Sequence, residues 1–197
     1  MIKINPKVPF NTEWCAYWEN FLTDEELNFL IHHHAWHNKS IAQVGGSDVP
    51  SADLDYRRTN VAWFDFNVEH QTIWNKITEI ISTVNNQFFH VNLSGIYEPM
   101  QLTEYSASDK GYYDWHTDFG VEDKLVPRKL SMVLMLSDES EYEGGYLQIK
   151  TRRDNQTLEM KKGRAWFFPS YVLHRVTPIT KGIRKTAVVW AGGEHWK

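Results

Sequence analysis

Two stretches in the first half of the chain repeat apolar residues at the spacing of an α-helix. The longer stretch predicts a helix over about 69–88. Its apolar stripe comprises Ile73, Trp74, Ile77, Ile80, Ile81, Val84 and Phe88. The shorter one predicts a helix over about 24–36, introduced by a capping box in which Thr23 and Glu26 can bond each other's backbone amides. Because such stripes are typical of core packing, we expect both helices to cover another layer of the fold.

From Leu93 onward, short apolar segments separated by Gly, Asp and Ser predict strands. The predicted strands are Gly95–Tyr105, Tyr112–His116, Lys129–Ser137, Tyr146–Lys150, Thr157–Glu159, Ala165–Phe168, His174–Val176 and Lys185–Ala191, with Arg57–Phe66 as an earlier one. This spacing indicates an antiparallel sandwich or a jelly roll (double-stranded β-helix). We therefore predict an α+β, mainly β fold: a single domain over 1–197, with helical support over about 20–90 packed on one sheet of a jelly-roll core over about 93–196.

Composition narrows the class of protein. Cys15 is the only cysteine, so an intrachain disulfide is excluded, and the cytoplasm is the expected compartment. No apolar run is long enough to span a bilayer, so no membrane partner is expected. The net charge is −4 and no basic tract occurs, which ranks nucleic acid low among the expected partners. The sequence makes no prediction of oligomeric state.

Three residues have the chemistry of a metal site. His116 and Asp118 stand two apart, so on a strand their side chains would point to one face. His174 follows far enough downstream to reach them from a facing strand. Two imidazoles and one carboxylate suit a facial Fe(II) site that leaves other coordination positions open. Arg184 begins an apolar strand segment, where a buried guanidinium requires an anion.

A second histidine cluster precedes this one. His32, His33, His34 and His37 occur together, but adjacent helical residues point in different directions, and only His33 and His37 share a face. We therefore interpret this run as a partly exposed helix end rather than a metal site.

The motifs around the three residues resemble those of a known family. They are His116-x-Asp118, Glu143-Gly144-Gly145-x-Leu147, Phe168-Pro169-x4-His174-x-Val176-x-Pro178 and Arg184. In this order they resemble the Fe(II)/2-oxoglutarate-dependent dioxygenases, and among them the prolyl 4-hydroxylase-like (PKHD-type) branch, over roughly residues 56–196. We assign the Gly pair to a tight turn rather than to a ligand contact.

The resemblance implies a role for each matching residue. His116, Asp118 and His174 would bind Fe(II), and Arg184 would bind the distal carboxylate of 2-oxoglutarate. Tyr105 matches a tyrosine that hydrogen-bonds near this co-substrate, although the spacing to His116 is about one residue longer here. Relatives often have a tyrosine near the position of Met135, which cannot donate, so another group must assist Arg184.

The expected reaction is hydroxylation of an unactivated C–H bond, with O2 consumed, 2-oxoglutarate converted to succinate and CO2, and ascorbate as an optional reductant. Tyr113, Arg128 and Trp190 match positions that hold the target proline, although Trp190 is equally well explained as core packing. A proline-containing peptide or protein is the first expectation, and a free amino acid or small metabolite is the alternative. Segments 43–55 and 120–127 could act as lids.

Three other classes of function remain open. Oxidative nucleic-acid demethylases share the triad but carry a second arginine where this chain has Trp190. A non-catalytic jelly roll would not need His116, Asp118, His174 and Arg184 together. A zinc-dependent hydrolase would use the same ligand types, but it would leave Arg184 without a role.

Overall fold

The computed structural model of the chain describes residues 14–42, 55–119, 126–151 and 154–194. In these ranges there are two α-helices, α1 (Asp24–Ile31) and α2 (Gln71–Val84). The strands are β1 (Ala16–Trp18), β2 (Ser40–Ile41), β3 (Arg57–Arg58), β4 (Asn60–Phe64), β5 (Gly95–Ile96), β6 (Met100–Ser106), β7 (Tyr112–His116), β8 (Arg128–Met135), β9 (Tyr142–Gly144), β10 (Leu147–Lys150), β11 (Asn155–Leu158), β12 (Ala165–Pro169), β13 (His174–Val176) and β14 (Ile179–Gly192).

The strands form two sheets. The major sheet has nine strands in the order β1-β12-β8-β14-β6-β4-β2, with β5 and β9 also paired to β14. The minor sheet has five strands in the order β11-β10-β13-β7-β3. All the strand pairs are antiparallel, as in the predicted jelly roll.

The helices pack on the outer face of the major sheet. Their buried side chains, such as Leu30 and Ile77, belong to one apolar cluster with sheet residues Leu102, Leu134 and Val189. A second apolar cluster lies between the two sheets. Side chains alternate between the two faces of a strand, so each long strand of the major sheet contributes to both clusters. The prediction that the helices cover one sheet is confirmed.

Both predicted helices exist, but each is shorter than the apolar pattern suggested. The predicted capping box of Thr23 and Glu26 begins α1, which ends at Ile31 rather than near 36. His33 has an extended backbone, with φ −60° and ψ 140°, and begins a separate 3-10 turn (His34–Asn38). After α2 the chain continues over Asn85–Phe89 as a π-helical turn. Periodicity finds the apolar stripe but not these local changes of backbone conformation.

The predicted strand Arg57–Phe66 is two strands in different sheets. Arg57 pairs with Tyr113 in the minor sheet, whereas Asn60 pairs with Glu104 in the major sheet. The chain crosses between the sheets at Thr59, whose hydroxyl donates to the Glu104 carbonyl at 3.0 Å. The predicted strand Gly95–Tyr105 likewise divides into β5 and β6.

Other boundaries shift less. The segment predicted to begin near Lys185 starts at Ile179, so Arg184 lies inside β14 rather than at its start. The short strands β1, β2 and β9 were not predicted. The proposed lids fall mostly on residues 43–54 and 120–125, outside the described residues. Neither α1 nor α2 has the length and apolar character needed to cross a bilayer.

Candidate active site

Three side chains predicted as metal ligands meet between the two sheets. His116 ends β7, His174 begins β13, and these two residues are directly paired across the minor sheet. Asp118 Oδ1 lies 3.9 Å from His116 Nε2, and Asp118 Oδ2 lies 3.6 Å from His174 Nε2. The potential ligand atoms of the three residues all lie within 4.8 Å of one another. One metal ion could therefore contact all three.

Backbone carbonyls orient both imidazole rings. His116 Nδ1 lies 2.7 Å from the Asp114 carbonyl oxygen, and His174 Nδ1 lies 2.9 Å from that of Val172. A carbonyl only accepts, so each ring carries its hydrogen on Nδ1 and directs the Nε2 lone pair toward Asp118. A hydrogen bond of this kind at Nδ1 fixes the orientation of a histidine that binds a metal through Nε2.

Asp118 reaches the cluster by a different route from the one predicted. The strand ends at His116, so Asp118 is not held by strand alternation. Its backbone N–H instead donates to the Ser170 carbonyl at 2.9 Å. The Ser131 hydroxyl donates to Asp118 Oδ2 at 2.7 Å and lies 2.9 Å from the Ser170 hydroxyl. A turn tied to β12 and β8 therefore positions the carboxylate.

The local electrostatics favour the ligating protonation states. Burial, and then the neighbouring His174, lower the pKa of His116 to about 3. Burial by itself would raise the pKa of Asp118, but the two facing histidines and the Ser131 hydroxyl hold it below its ordinary value. A neutral His116 imidazole beside an ionised Asp118 carboxylate can bind a metal without first losing a proton.

Arg184 lies on the face of the major sheet that is turned toward the histidine and aspartate cluster. It is almost completely buried, with 1% of its surface exposed. Its Nε and Nη2 atoms are buried without hydrogen-bond partners. Burial lowers the pKa of Arg184, while Tyr105 and Tyr142 oppose this shift. The Tyr105 ring centroid is 5.5 Å from the guanidinium carbon. Because an unpaired buried charge is costly, this pocket fits an anion.

One member of the Gly pair, Gly145, makes room for the Arg184 side chain. Gly144 and Gly145 have φ values of 79° and 61°, which confirms the predicted turn. A Cβ atom at Gly145 would lie 2.9 Å from Arg184 Cδ and 2.1 Å from Ile179 Cδ1. The phenol that the sequence lacks at Met135 is supplied near Arg184 by Tyr142, from the neighbouring strand β9.

The three residues predicted to hold substrate lie on this inner side. The Tyr113 ring stacks on the His116 imidazole, with centroids 3.4 Å apart, and burial raises the pKa of Tyr113, so its phenol stays neutral. Trp190 pairs across the sheet with Ser131, the residue that contacts the Asp118 carboxylate. Opposite residues of an antiparallel pair share a face, so Trp190 also faces the cluster.

Arg128 packs on the face of Trp190, with the guanidinium carbon 3.6 Å from the ring centroid. Two hydrogen bonds from Arg128 to the Glu98 carboxylate, at 2.7 and 2.5 Å, fix its position. The Trp190 indole N–H is buried without a partner. The pair therefore forms a rigid surface with one unused donor.

Several site residues were not predicted from the sequence. Ser131 and Ser170 support Asp118. The Arg57 guanidinium lies over the Tyr113 ring and donates to the Gln101 amide oxygen at 3.0 Å. Ser131 had a detectable signal, since it is a polar residue inside the apolar strand β8. The others depend on contacts between distant segments.

The first histidine cluster does not join the site. His33 Nε2 lies 3.2 Å from His70 Nε2, both residues are buried, and the His70 Nδ1 atom lies 3.1 Å from the Asp65 carbonyl oxygen. The pair connects the end of α1 to the segment before α2. Among the described residues, His116, Asp118 and His174 form the only group of three or more such side chains within metal-binding distance.

A facial cluster of two histidines and a carboxylate inside a jelly roll is the type of site that non-haem Fe(II) oxygenases use. Residues 100–192 match the model of the 2OG-Fe(II) oxygenase superfamily. The superfamily is named for Fe(II) and 2-oxoglutarate, and both fit the site. The His-Asp-His cluster suits Fe(II), and the unpaired Arg184 nitrogens suit a carboxylate.

The chain is similar to PKHD-type hydroxylases. It is 36% identical to one from Teredinibacter turnerae over 86 residues. This aligned segment covers 41% of this chain and 37% of that relative. It is 34% identical over 97 residues to one from Alteromonas mediterranea, with 47% and 42% covered. The matched regions span less than half the length of these relatives.

Solved structures confirm the fold prediction. A prolyl-4-hydroxylase from Pseudomonas putida superposes with a TM-score of 0.69 at 18% identity, covering 93% of this chain and 95% of that one. A prolyl hydroxylase from Trichoplax adhaerens, in complex with a peptide fragment of hypoxia inducible factor, superposes with a TM-score of 0.75 at 17% identity. This match covers 92% of this chain and 84% of that one. At these identities the likeness concerns the fold alone.

Proposed function

We propose that the protein is an Fe(II)- and 2-oxoglutarate-dependent oxygenase that hydroxylates an unactivated C–H bond. The observation that carries this proposal is the buried Arg184, with two unpaired nitrogens on the same inner side of the sheet as the His-Asp-His cluster. Packing alone does not require a guanidinium there. A co-substrate with one carboxylate near the metal and another at Arg184 accounts for both features.

In this proposal His116, Asp118 and His174 hold Fe(II), Arg184 binds the distal carboxylate of 2-oxoglutarate, and Tyr105 assists beside it. When bound, Fe(II) and 2-oxoglutarate supply O2 activation, with loss of CO2 and formation of succinate. The protein orients both groups and keeps bulk water away from Arg184, which is 1% exposed.

We propose a prolyl residue or a proline-like molecule as substrate, bound near Tyr113, Arg128 and Trp190. Aromatic faces suit a pyrrolidine ring, whose surface is mostly C–H. The stacked Arg128 and Trp190 provide a rigid wall, and the Trp190 N–H offers a donor to a polar group of the substrate. The peptide complex of the Trichoplax enzyme supports a peptide or protein substrate.

The first test uses the wild-type protein under anaerobic conditions. Fe(II) is added, and the visible metal-to-ligand charge-transfer band is followed during titration with 2-oxoglutarate. O2 is then admitted, with ascorbate as reductant, and succinate is assayed. A band followed by succinate supports the proposal. Bound iron without a band would refute the co-substrate assignment.

The second test changes Arg184 to Gln, which keeps much of the side chain's volume but removes its charge. We expect the concentration of 2-oxoglutarate needed for half of the charge-transfer band to rise about 100-fold, because a charge-assisted pair is lost from a buried site. Iron binding without 2-oxoglutarate should persist. Lys181→Gln, an exposed charge change on the same strand, is the control. An unchanged titration for Arg184→Gln would remove this residue from the co-substrate site.

A further inference from the structure

Arg57 is a second buried arginine beside the proposed metal site. It lies on β3 and pairs with Tyr113 in the adjacent strand β7. Its guanidinium carbon is 4.4 Å from the Tyr113 ring centroid. The Tyr113 ring stacks in turn on His116. The guanidinium, the phenol ring and a proposed iron ligand are therefore in successive contact, and Arg57 is one of the groups that lower the pKa of His116, after burial and His174.

The positive charge of Arg57 has no anionic partner among the described residues. The side chain is 7% exposed, and its Nη2 atom donates to the neutral amide oxygen of Gln101 at 3.0 Å. Its buried Nε atom has no hydrogen-bond partner. Arg128, by contrast, is paired with Glu98, and Arg164 is paired with Glu19 and Glu159. A buried cation without a counter-ion is costly, so Arg57 requires an anion that the described residues do not supply.

Binding of Fe(II) and 2-oxoglutarate would not supply the anion that Arg57 requires. In the proposed complex, the two positive charges of Fe(II) and that of Arg184 balance the Asp118 carboxylate and the two carboxylates of 2-oxoglutarate. Arg57 then adds one positive charge that no described residue compensates. Gln101 can take one of the two Nη2 hydrogens, which leaves the Nε–H and a further Nη2–H free. Two such donors match the two oxygens of a carboxylate.

We propose that Arg57 binds a carboxylate of the substrate. This inference rests on the function proposed above and narrows its substrate to an anionic one. The carboxylate has two chemical sources: the α-carboxylate of a free amino acid such as proline, or the acidic side chain next to a prolyl residue in a peptide. In both cases the Tyr113 ring lies beside the target, and Arg57 determines specificity.

The test measures binding by calorimetry to the anaerobic protein loaded with Fe(II) and 2-oxoglutarate. Two matched pairs of probes separate the two sources. L-Proline is compared with L-prolinamide, and acetyl-Glu-Pro-Gly-amide is compared with acetyl-Gln-Pro-Gly-amide. In the wild-type protein we expect the carboxylate member of one pair to bind about 10-fold or more tightly than its amide partner, since hydrogen bonds to charged groups are the stronger ones. The pair that shows this difference identifies the source.

Two variants assign that difference to Arg57. Arg57→Gln should abolish the preference for the carboxylate. Gln101→Glu leaves Arg57 in place but supplies an internal carboxylate, so it should also reduce the preference, and it guards against misfolding of the first variant. Arg58→Gln is the control, because this neighbouring arginine is one-third exposed and lies 3.5 Å from the Asp55 carboxylate. It should keep the wild-type preference.

Equal binding of both members of each pair by the wild-type protein would overturn the inference, and so would the failure of all four probes to bind. A preference that persists in Arg57→Gln would also overturn it. The charge-transfer band of 2-oxoglutarate is recorded before any probe is added. Absence of that band contradicts the proposed function, whereas a normal band without a carboxylate preference contradicts only the role of Arg57.

Discussion

The helices cover the outer face of the major sheet, whereas the inner face lines the proposed site. The same strands contribute side chains to both faces. On the outer face, apolar side chains such as Leu102 and Leu134 pack against the helices. Even the buried histidines on that side, His33 and His70, satisfy each other. Among the described residues, the buried side-chain atoms without hydrogen-bond partners belong to Arg184 and Trp190 on the inner face and to Arg57 on β3 of the facing minor sheet.

This difference separates stability from function in one sheet. Apolar burial on the outer face stabilises the fold whether or not a ligand is present. Unpaired polar groups on the inner face cost stability until a ligand pairs with them. The incomplete face is therefore the one on which chemistry is expected, and variants on the two faces should behave differently.

The largest expected effect is on the inner face. Asp118→Ala removes the one carboxylate of the cluster, so we expect loss of iron binding and a fall in succinate formation of at least about 1,000-fold. The free energy of unfolding should change little, since the variant also removes a buried charge. Iron content and succinate are measured, with Asp109→Asn as an exposed carboxyl control. Substantial turnover in Asp118→Ala would mean that the ligand set is wrong.

A core variant on the outer side should have the opposite profile. Ile77 is fully buried between α2 and the sheet. Ile77→Ala should lower the free energy of unfolding by about 2–5 kcal/mol, because it removes buried apolar atoms and leaves a cavity. The affinity for 2-oxoglutarate of the folded fraction should stay close to the wild-type value. Urea unfolding and the charge-transfer titration measure the two quantities, and the exposed Glu79→Ala is the control. Loss of co-substrate affinity at unchanged stability would break the proposed separation of the two faces.

The smallest effect concerns pH and the His33–His70 pair. Burial, followed by His34 and His70, lowers the pKa of His33 from 6.5 to about 4. In the unfolded chain His33 takes up a proton near pH 6.5, but in the folded chain it does so only near pH 4. Neutral His33 therefore makes its full contribution to the free energy of unfolding above pH 6.5. This contribution is lost as the pH falls toward 4, which lowers the free energy of unfolding by on the order of 2 kcal/mol.

Urea unfolding of the metal-free protein between pH 7.5 and 4 measures this dependence. His33→Asn should reduce the loss of stability on acidification, whereas His37→Asn, at an exposed position, should leave it unchanged. An identical pH profile for the wild type and His33→Asn would assign the acid sensitivity to other groups, such as His116, whose pKa is also lowered.

The sequence predicted the layers of the fold and the cluster of His116, Asp118, His174 and Arg184, because periodic apolar positions and spaced polar residues are local signals. It could not reveal the crossing at Thr59, since a continuous β pattern runs through both strands. Nor could it identify Arg57 and Gln101 as neighbours, because their contact joins segments 44 residues apart. The hydrogen bond between the Asp118 backbone N–H and the Ser170 carbonyl oxygen could not be predicted for the same reason. The extent of the single domain stays a prediction.

The central position of β14 also has a consequence for how the protein folds. This strand lies between β8 and β6, and it pairs with β6 from Ile183 to Val188 and with β8 from Thr186 to Gly192. Without it, the major sheet consists of two separate parts, β1-β12-β8 and β6-β4-β2. Joining them requires contacts across more than 80 residues, such as Val188 with Gln101. Since long-range pairing slows folding, we expect insertion of β14 to be a late kinetic step. The pocket around Arg184 would then form only as the sheet closes.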